Sequence, residues 1–245
     1  MHINHLLILG ANSGIAEAVA YEAADKGIKL TLAGRSEEKL IALKSDLTIK
    51  YESEVDYVLF DAFNISLHEA FYDSLPNKPD AVLCAFGILG SQEKAQQDWQ
   101  ETNAVIESNF TGAISILNII ANDFEEKGAG IIAGISSVAG ERGRQSNYIY
   151  GAAKAGFTAY LSGLRNRMAK SGVHVLTVKP GFVKTKMLEG LETPGPLTAK
   201  PEDAGKAILS AMIKKRNTLY YKSIWRLIMY IIKSIPEPIF KKLNL

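Results

Sequence analysis

The sequence predicts an α/β fold, a single doubly wound parallel sheet with helices on both faces, and three observations carry that prediction. Short β-branched or Leu-rich runs alternate along the chain with longer amphipathic stretches. Runs such as LLIL and AVLCAF are continuously apolar, as expected of strands covered on both faces. Strand and helix alternate throughout, which implies right-handed crossovers between parallel neighbours.

Taken in order, strands are expected at 5–9, 29–33, 55–60, 81–86, 130–135, 173–179 and 218–221. Helices are expected near 14–26, 36–50, 65–74, 100–127, 148–171 and 201–215. Residues 1–215 then form one dinucleotide-binding and catalytic domain. Residues 216–245 form a basic, apolar tail packed on that domain or extending from it.

Composition narrows the function. The chain has 245 residues, 47% of them hydrophobic, enough to bury a core without covalent staples. One cysteine, Cys84, excludes a disulfide framework, and four scattered histidines offer no metal constellation. No uninterrupted apolar run has the length of a bilayer span, and the first residues lack the basic segment of a signal peptide, so a cytoplasmic location is expected. The net charge of +2 conceals an asymmetry. From Lys214 onward there are eight Lys/Arg against one acid, whereas the preceding residues are net acidic. Such a body is no nucleic-acid binder, but the tail suits anionic lipid or a phosphorylated ligand.

Directly after the first strand comes Gly10-Ala11-Asn12-Ser13-Gly14-Ile15-Ala16. Gly10 permits a tight turn, Gly14 a close approach of backbone to a pyrophosphate, and the helix that follows offers free N–H groups to the anion. The second strand ends in Gly34-Arg35, where an acid would hydrogen-bond a ribose 2′-hydroxyl. Arg35 instead favours NADP(H), with NAD(H) still possible. Asp61, closing the third strand, is a candidate for the adenine amino group or for capping its own turn.

Ser136-Ser137 at the end of a strand and Tyr150-Gly151-Ala152-Ala153-Lys154 in a helix suggest a reacting centre. The i, i+4 spacing puts Tyr150 and Lys154 on one helix face. A phenol titrates near 10, but an ammonium one turn away, with a cationic nicotinamide, favours its ionised form and makes it a usable general acid. Ser137 can hydrogen-bond the same carbonyl oxygen.

Gly10-x-x-x-Gly14-x-Ala16, Asn109, Ser137, Tyr150 and Lys154, in this order, resemble the classical short-chain dehydrogenase/reductase family over residues 3–190. The resemblance implies a Rossmann-like domain. It implies cofactor contacts from Gly10, Asn12, Ser13, Gly14, Ile15, Gly34, Arg35, Asp61, Ala85, Gly87, Tyr150 and Lys154. It adds Pro180, Gly181, Val183 and Thr185 from a Pro-Gly-x-Val-x-Thr segment that closes around the nicotinamide. It further implies that Asn109 holds a helix kink and a water that completes a proton relay through Lys154. Helices near 100–127 and 148–171 would form the family's dimer interface, making a homo-oligomer. Two positions depart from the pattern: Ala16 replaces a third glycine, and Cys84-Ala85-Phe86-Gly87 replaces Asn-Asn-Ala-Gly.

The segments 85–90, 140–144 and 225–243 are similar to those of family members that reduce the 2-keto group of a decaprenylphosphoryl pentose. That similarity implies a lipid-linked sugar substrate, a partner oxidase, Arg142 and Arg144 as phosphate ligands, and peripheral membrane contact through the tail. Alternatives remain at this point: a soluble reductase of a small ketone or free sugar, a non-catalytic NADP-binding sensor, or a tail folded over the substrate site or into a dimer interface.

Overall fold

The computed structural model describes residues 2–190 and 192–243. The last two residues of the expected tail therefore lie outside the described residues. Seven strands form one all-parallel sheet in the order β3-β2-β1-β4-β5-β6-β7. They are β1 (His5–Leu9), β2 (Lys29–Gly34), β3 (Val55–Leu59), β4 (Ala81–Cys84), β5 (Gly130–Ile135), β6 (Val173–Pro180) and β7 (Thr218–Tyr221). Every expected strand is present, with ends within two residues.

The helices in chain order are α1 (Gly14–Ala24), α2 (Glu37–Tyr51), α3 (His68–Asp73), α4 (Gln92–Ala95), α5 (Trp99–Ile106), α6 (Gly112–Lys127), α7 (Tyr148–Met168), α8 (Pro201–Ile213), α9 (Ile224–Ser234) and α10 (Glu237–Phe240). Alternation along β1 shows why both faces need cover. Leu6 and Ile8 enter one core with residues of α1, α2 and α8, while Leu7 and Leu9 enter the other with residues of α6 and α7. All four are fully buried, as a two-sided strand requires.

Three features differ from the sequence expectation. The stretch expected as one helix over 100–127 is interrupted by a π-helical turn, Glu107–Thr111, between α5 and α6. Taken together, Trp99–Lys127 has the length and mean hydropathy of a membrane span. Here Ile116, Leu117, Ile120 and Phe124 are buried against the sheet, as in a core helix. Strand β7 lies within the segment expected as tail, yet it pairs with β6 from Thr177–Thr218 to Pro180–Tyr221. The part of the tail outside the sheet thus begins at α9.

Sheet order reverses between β1 and β4, opening the crevice where doubly wound sheets bind ligands. All strands point their C-terminal ends the same way, so the ends of β1, β4, β5 and β6 gather the candidate residues on one side.

Candidate active site

The glycine turn leaves β1 at Gly10, whose φ of +83° is open to glycine. A Cβ there would fall 2.7 Å from the Phe86 backbone nitrogen, so the turn also depends on close packing against the end of β4. Ser13 caps α1, its Oγ accepting from the Ala16 N–H at 3.4 Å and donating to the Ala85 carbonyl at 3.3 Å. Ala85 donates its own N–H to Leu9 O, tying the two sides of the switch point together. Ala16 is fully buried, so the alanine at the third glycine position is accommodated within the packed core.

Two motifs remote in sequence meet at this turn. Thr185 lies against Gly14, where a Cβ would come 3.0 Å from its Cγ2. Ile15 packs beside Val183 and Ala204, and Val183 bridges to Ala199. The Pro180–Thr185 segment therefore folds back from β6 over the start of α1, as a loop closing on a dinucleotide would.

At the outer end of the crevice Gly34 is the last residue of β2 and lies beside the Asn12 side chain. Asn12 Nδ2 is buried and has no hydrogen-bond partner among the described residues. Arg35 is exposed, 5.9 Å from the Phe63 ring, at a groove that Asp61 and Phe60 also line. The Asp61 carboxylate accepts from the Phe63 N–H at 3.1 Å, so it does cap its turn. A free-donor amide, an exposed guanidinium and a glycine-bounded helix N-terminus fit a dinucleotide carrying a 2′-phosphate.

The reacting groups come from β5, its following turn, α7 and the π-helical turn. The two adjacent serines have different work. Ser136 Oγ donates to Lys154 O at 2.9 Å and lies 2.6 Å from Thr158 Oγ1, locking β5 to α7. Ser137 Oγ accepts from the Ala139 N–H at 3.1 Å, and its hydroxyl is near enough to the Tyr150 phenol to act on its ionisation. Asn109 sits buried in the π-helical turn, its Nδ2 donating to Ile88 O at 2.6 Å and Val105 O at 2.9 Å. Its Oδ1 is buried with no partner among the described residues. A Cβ on Gly87 would overlap that oxygen and come within 3.4 Å of Lys154 Nζ, so both polar ends converge on this glycine.

Lys154 is buried, its Nζ donating to Ile135 O at 2.9 Å and lying 5.8 Å from the Tyr150 ring centre. Burial pushes its ammonium down to about 8. Burial also pushes the Tyr150 phenol up to about 12, against the lowering effect of the Ser137 hydroxyl. This corrects one expectation. In the chain alone the neighbouring lysine does not bring the phenol below its ordinary value, because desolvation of both groups dominates. Cys84, the departure at β4, is a buried thiol that burial pushes to about 12, leaving it neutral.

Arg142 requires a second correction. Its guanidinium does not wait for a phosphate. Nη1 donates to Ile232 O at 2.6 Å and Ile235 O at 2.7 Å, and Nη2 pairs with Glu237 at 2.9 Å. The Phe240 ring covers it at 3.6 Å. Arg142 thus caps the C-terminal end of α9. Arg144 differs, since its Nε is buried without a partner among the described residues.

Two contributors were not anticipated. Gln92 in α4 accepts from the Ile149 N–H at 3.1 Å, placing its amide beside the start of α7. Trp225 of α9 lies against Gly181, where a Cβ would fall inside the indole, and meets the Phe182 ring edge-on at 5.5 Å. The apolar face of the tail was the available signal for Trp225. Gln92, in a four-residue helix, had none.

A half-buried tyrosine and serine, backed by a buried lysine and asparagine and set opposite a dinucleotide-type glycine turn, define a nucleotide-dependent oxidoreductase class. The short chain dehydrogenase family model matches residues 4–194, and the chain belongs to that family. An uncharacterized oxidoreductase of Mycobacterium tuberculosis is 30% identical over 241 residues, covering 97% of this chain and 96% of the relative. An uncharacterized oxidoreductase encoded in the mprA 5′ region of Streptomyces coelicolor is 31% identical, covering 97% and 95%. Among solved structures, a short-chain dehydrogenase from Sphingobium yanoikuyae in complex with NADPH superposes with a TM-score of 0.82 at 22% identity, covering 96% of this chain and 97% of the other. Actinorhodin polyketide ketoreductase with NADPH superposes with a TM-score of 0.78 at 21% identity, covering 89% and 95%. These two likenesses concern the fold.

Proposed function

We propose that this oxidoreductase reduces a ketone to an alcohol with NADPH, and that Tyr150 protonates the carbonyl oxygen. When bound, the reduced dinucleotide supplies the hydride. Asn12, Arg35 and the turn from Gly10 to Ile15 would hold its phosphates and ribose, while Pro180, Gly181, Val183 and Thr185 would close over its nicotinamide end. Ser137 orients the carbonyl and shares its hydrogen bond with Tyr150. Tyr150 gives up its proton as negative charge develops on the oxygen. Lys154 holds positive charge behind the phenol, and Asn109, anchored by Ile88 and Val105, fixes the inner end of the proton route. The juxtaposition of Ser137, Tyr150, Lys154 and Asn109 beside the switch-point crevice carries this reading.

The substrate we infer is a polyprenyl-phosphate-linked 2-ketopentose, supplied by a partner oxidase and kept at a membrane surface by its lipid. Support comes from the start of α7. Gln92 Nε2, Arg144 Nε and Asn147 Oδ1 are buried there without partners among the described residues. Buried polar atoms need partners, and sugar hydroxyls with a phosphate would supply them. The family habit of pairing through α5–α6 and α7 makes a homodimer the expected assembly. NADPH oxidation measured against free ketones, free sugars and a detergent-solubilised lipid-linked ketosugar tests the reading. Turnover of the lipid-linked sugar above the others, abolished in Tyr150→Phe, is expected. Undiminished reduction by Tyr150→Phe would overturn it.

A further inference from the structure

Helix α9 is apolar on two faces, and only one of them is covered. Trp225 and Met229 are buried against Val138 and Phe182, with Ile228 and Ile232 packed beside them. On the opposite side Ile224, Leu227, Tyr230 and Ile231 are 45%, 55%, 72% and 55% exposed. Ile239 of α10 and Leu243 continue the exposure. Single exposed apolar residues are ordinary on a protein surface, but a stripe over consecutive helical turns marks a contact.

Cations border that stripe. Lys222, Arg226, Lys233, Lys241 and Lys242 belong to the same segment. Glu237, its acid, is taken by Arg142. A groove of about 650 Å³ opens along the helix, lined by Ser223, Arg226, Leu227, Tyr230, Lys233 and Ser234, with Glu141 at its floor. The Glu141 carboxylate is already paired with Lys179 and with Lys233 at 2.9 Å, and accepts from Tyr220 at 2.7 Å. It is held down at about 2, chiefly by those donors against the opposing effect of burial. Its charge is therefore compensated, and the groove stays net positive.

We propose that the outer surface of α9 and α10 is a docking surface for an anionic phospholipid bilayer, with lipid phosphates in the Arg226–Lys233 groove and Leu227, Tyr230 and Ile231 in the interfacial layer. Charge chooses this occupant. A two-fold contact with a second copy would lay this basic segment against itself, setting like charges together. An anionic bilayer offers apolar depth and opposite charge at once, the pairing that holds amphipathic helices at membrane surfaces. The inner face of the same helix walls the Gly181–Phe182 loop, so docking would set the active-site mouth at the membrane. The proposal rests on the surface of α9 and α10 and not on the substrate, so each can fail alone.

Flotation of the full chain with vesicles tests it, using phosphatidylcholine alone and an equal mixture with phosphatidylglycerol. The chain should float with the mixture and not with phosphatidylcholine, and raised salt should weaken the binding. Leu227→Ser/Ile231→Ser and Arg226→Glu/Lys241→Glu should each reduce binding at least about tenfold by removing the apolar or the electrostatic part. Melting temperature and oligomeric state should stay those of the parent. Absence of flotation, or variants that float like the parent, would overturn the proposal. So would a Leu227→Ser/Ile231→Ser chain that loses a subunit partner, since the face would then belong to a second copy.

Discussion

Two regions meet at Gly181 and Phe182, and they are built on opposite principles. On one side the proposed reacting groups come from the turn after β5, from α7 and from the π-helical turn, all packed beside strands buried on both faces. There Lys154, Asn109 and Ser136 are polar yet buried, each tied to backbone carbonyls or a neighbouring hydroxyl. On the other side α9 holds to the domain by one apolar face, by Arg142 at its C-terminal end and by Lys233 on Glu141. A helix locked to the end of β5 places the proposed proton donor where small displacements would cost rate. A helix attached through few contacts can open locally without unfolding the sheet. Chemistry and attachment are thereby separated, although they share a wall.

The largest effect should come from the buried side. Lys154→Met should lower ketone reduction by about 10²–10⁴-fold, the scale of losing proton-transfer assistance. It should also alter how stability depends on pH. The folded chain holds the Lys154 ammonium down to about 8, against 10.5 for the free group, so burial of the charge costs stability below pH 8. That cost, on the order of 3 kcal/mol, is relieved as pH rises from 8 toward 10. Urea unfolding across that window should show the parent gaining stability relative to Lys154→Met. Parallel curves would show that Lys154 is not desolvated.

Trp225→Ala should next separate the regions. Removing a buried aromatic side chain costs about 3–5 kcal/mol, and here the loss should fall on the tail. Hydrogen exchange should quicken over α9 and α10 while amides of β1, β4 and β5 keep their protection. Uniform loss of protection would mean that the tail and sheet unfold as one unit. The smallest effect distinguishes two arginines. Arg142→Ala should loosen α9 and leave the KM for a phosphorylated substrate near the parent value. Arg144→Ala should raise that KM by about tenfold or more, as expected for one charge-assisted hydrogen bond. Equal effects on KM would erase the distinction.

The sequence disclosed the buried side far better than the attached one. Strands such as His5–Leu9 and Gly130–Ile135 are legible because two-sided burial writes itself as a continuous apolar run. Tyr150 and Lys154 share a helix face by local spacing alone. A kink at Asn109 was implied only by resemblance, and its π-helical form not at all, since one extra residue in a helix leaves no mark on a short hydrophobic period. Arg142 misled because its partners lie about ninety residues downstream. An arginine near a site mouth looks like a ligand until the chain that returns to it is known. The free-state ionisation of Tyr150 was equally non-local, because it depends on how completely the fold excludes water from both groups.

The most direct test follows the Tyr150 phenol itself. With ¹³C-labelled tyrosine, its pH titration can be read in the free chain and with oxidised NADP. The phenol should titrate near 12 in the free chain and move well down once the cationic nicotinamide joins the Lys154 ammonium, and Lys154→Met should remove most of that movement. A Tyr150 signal indifferent to both the oxidised dinucleotide and Lys154 would contradict the account.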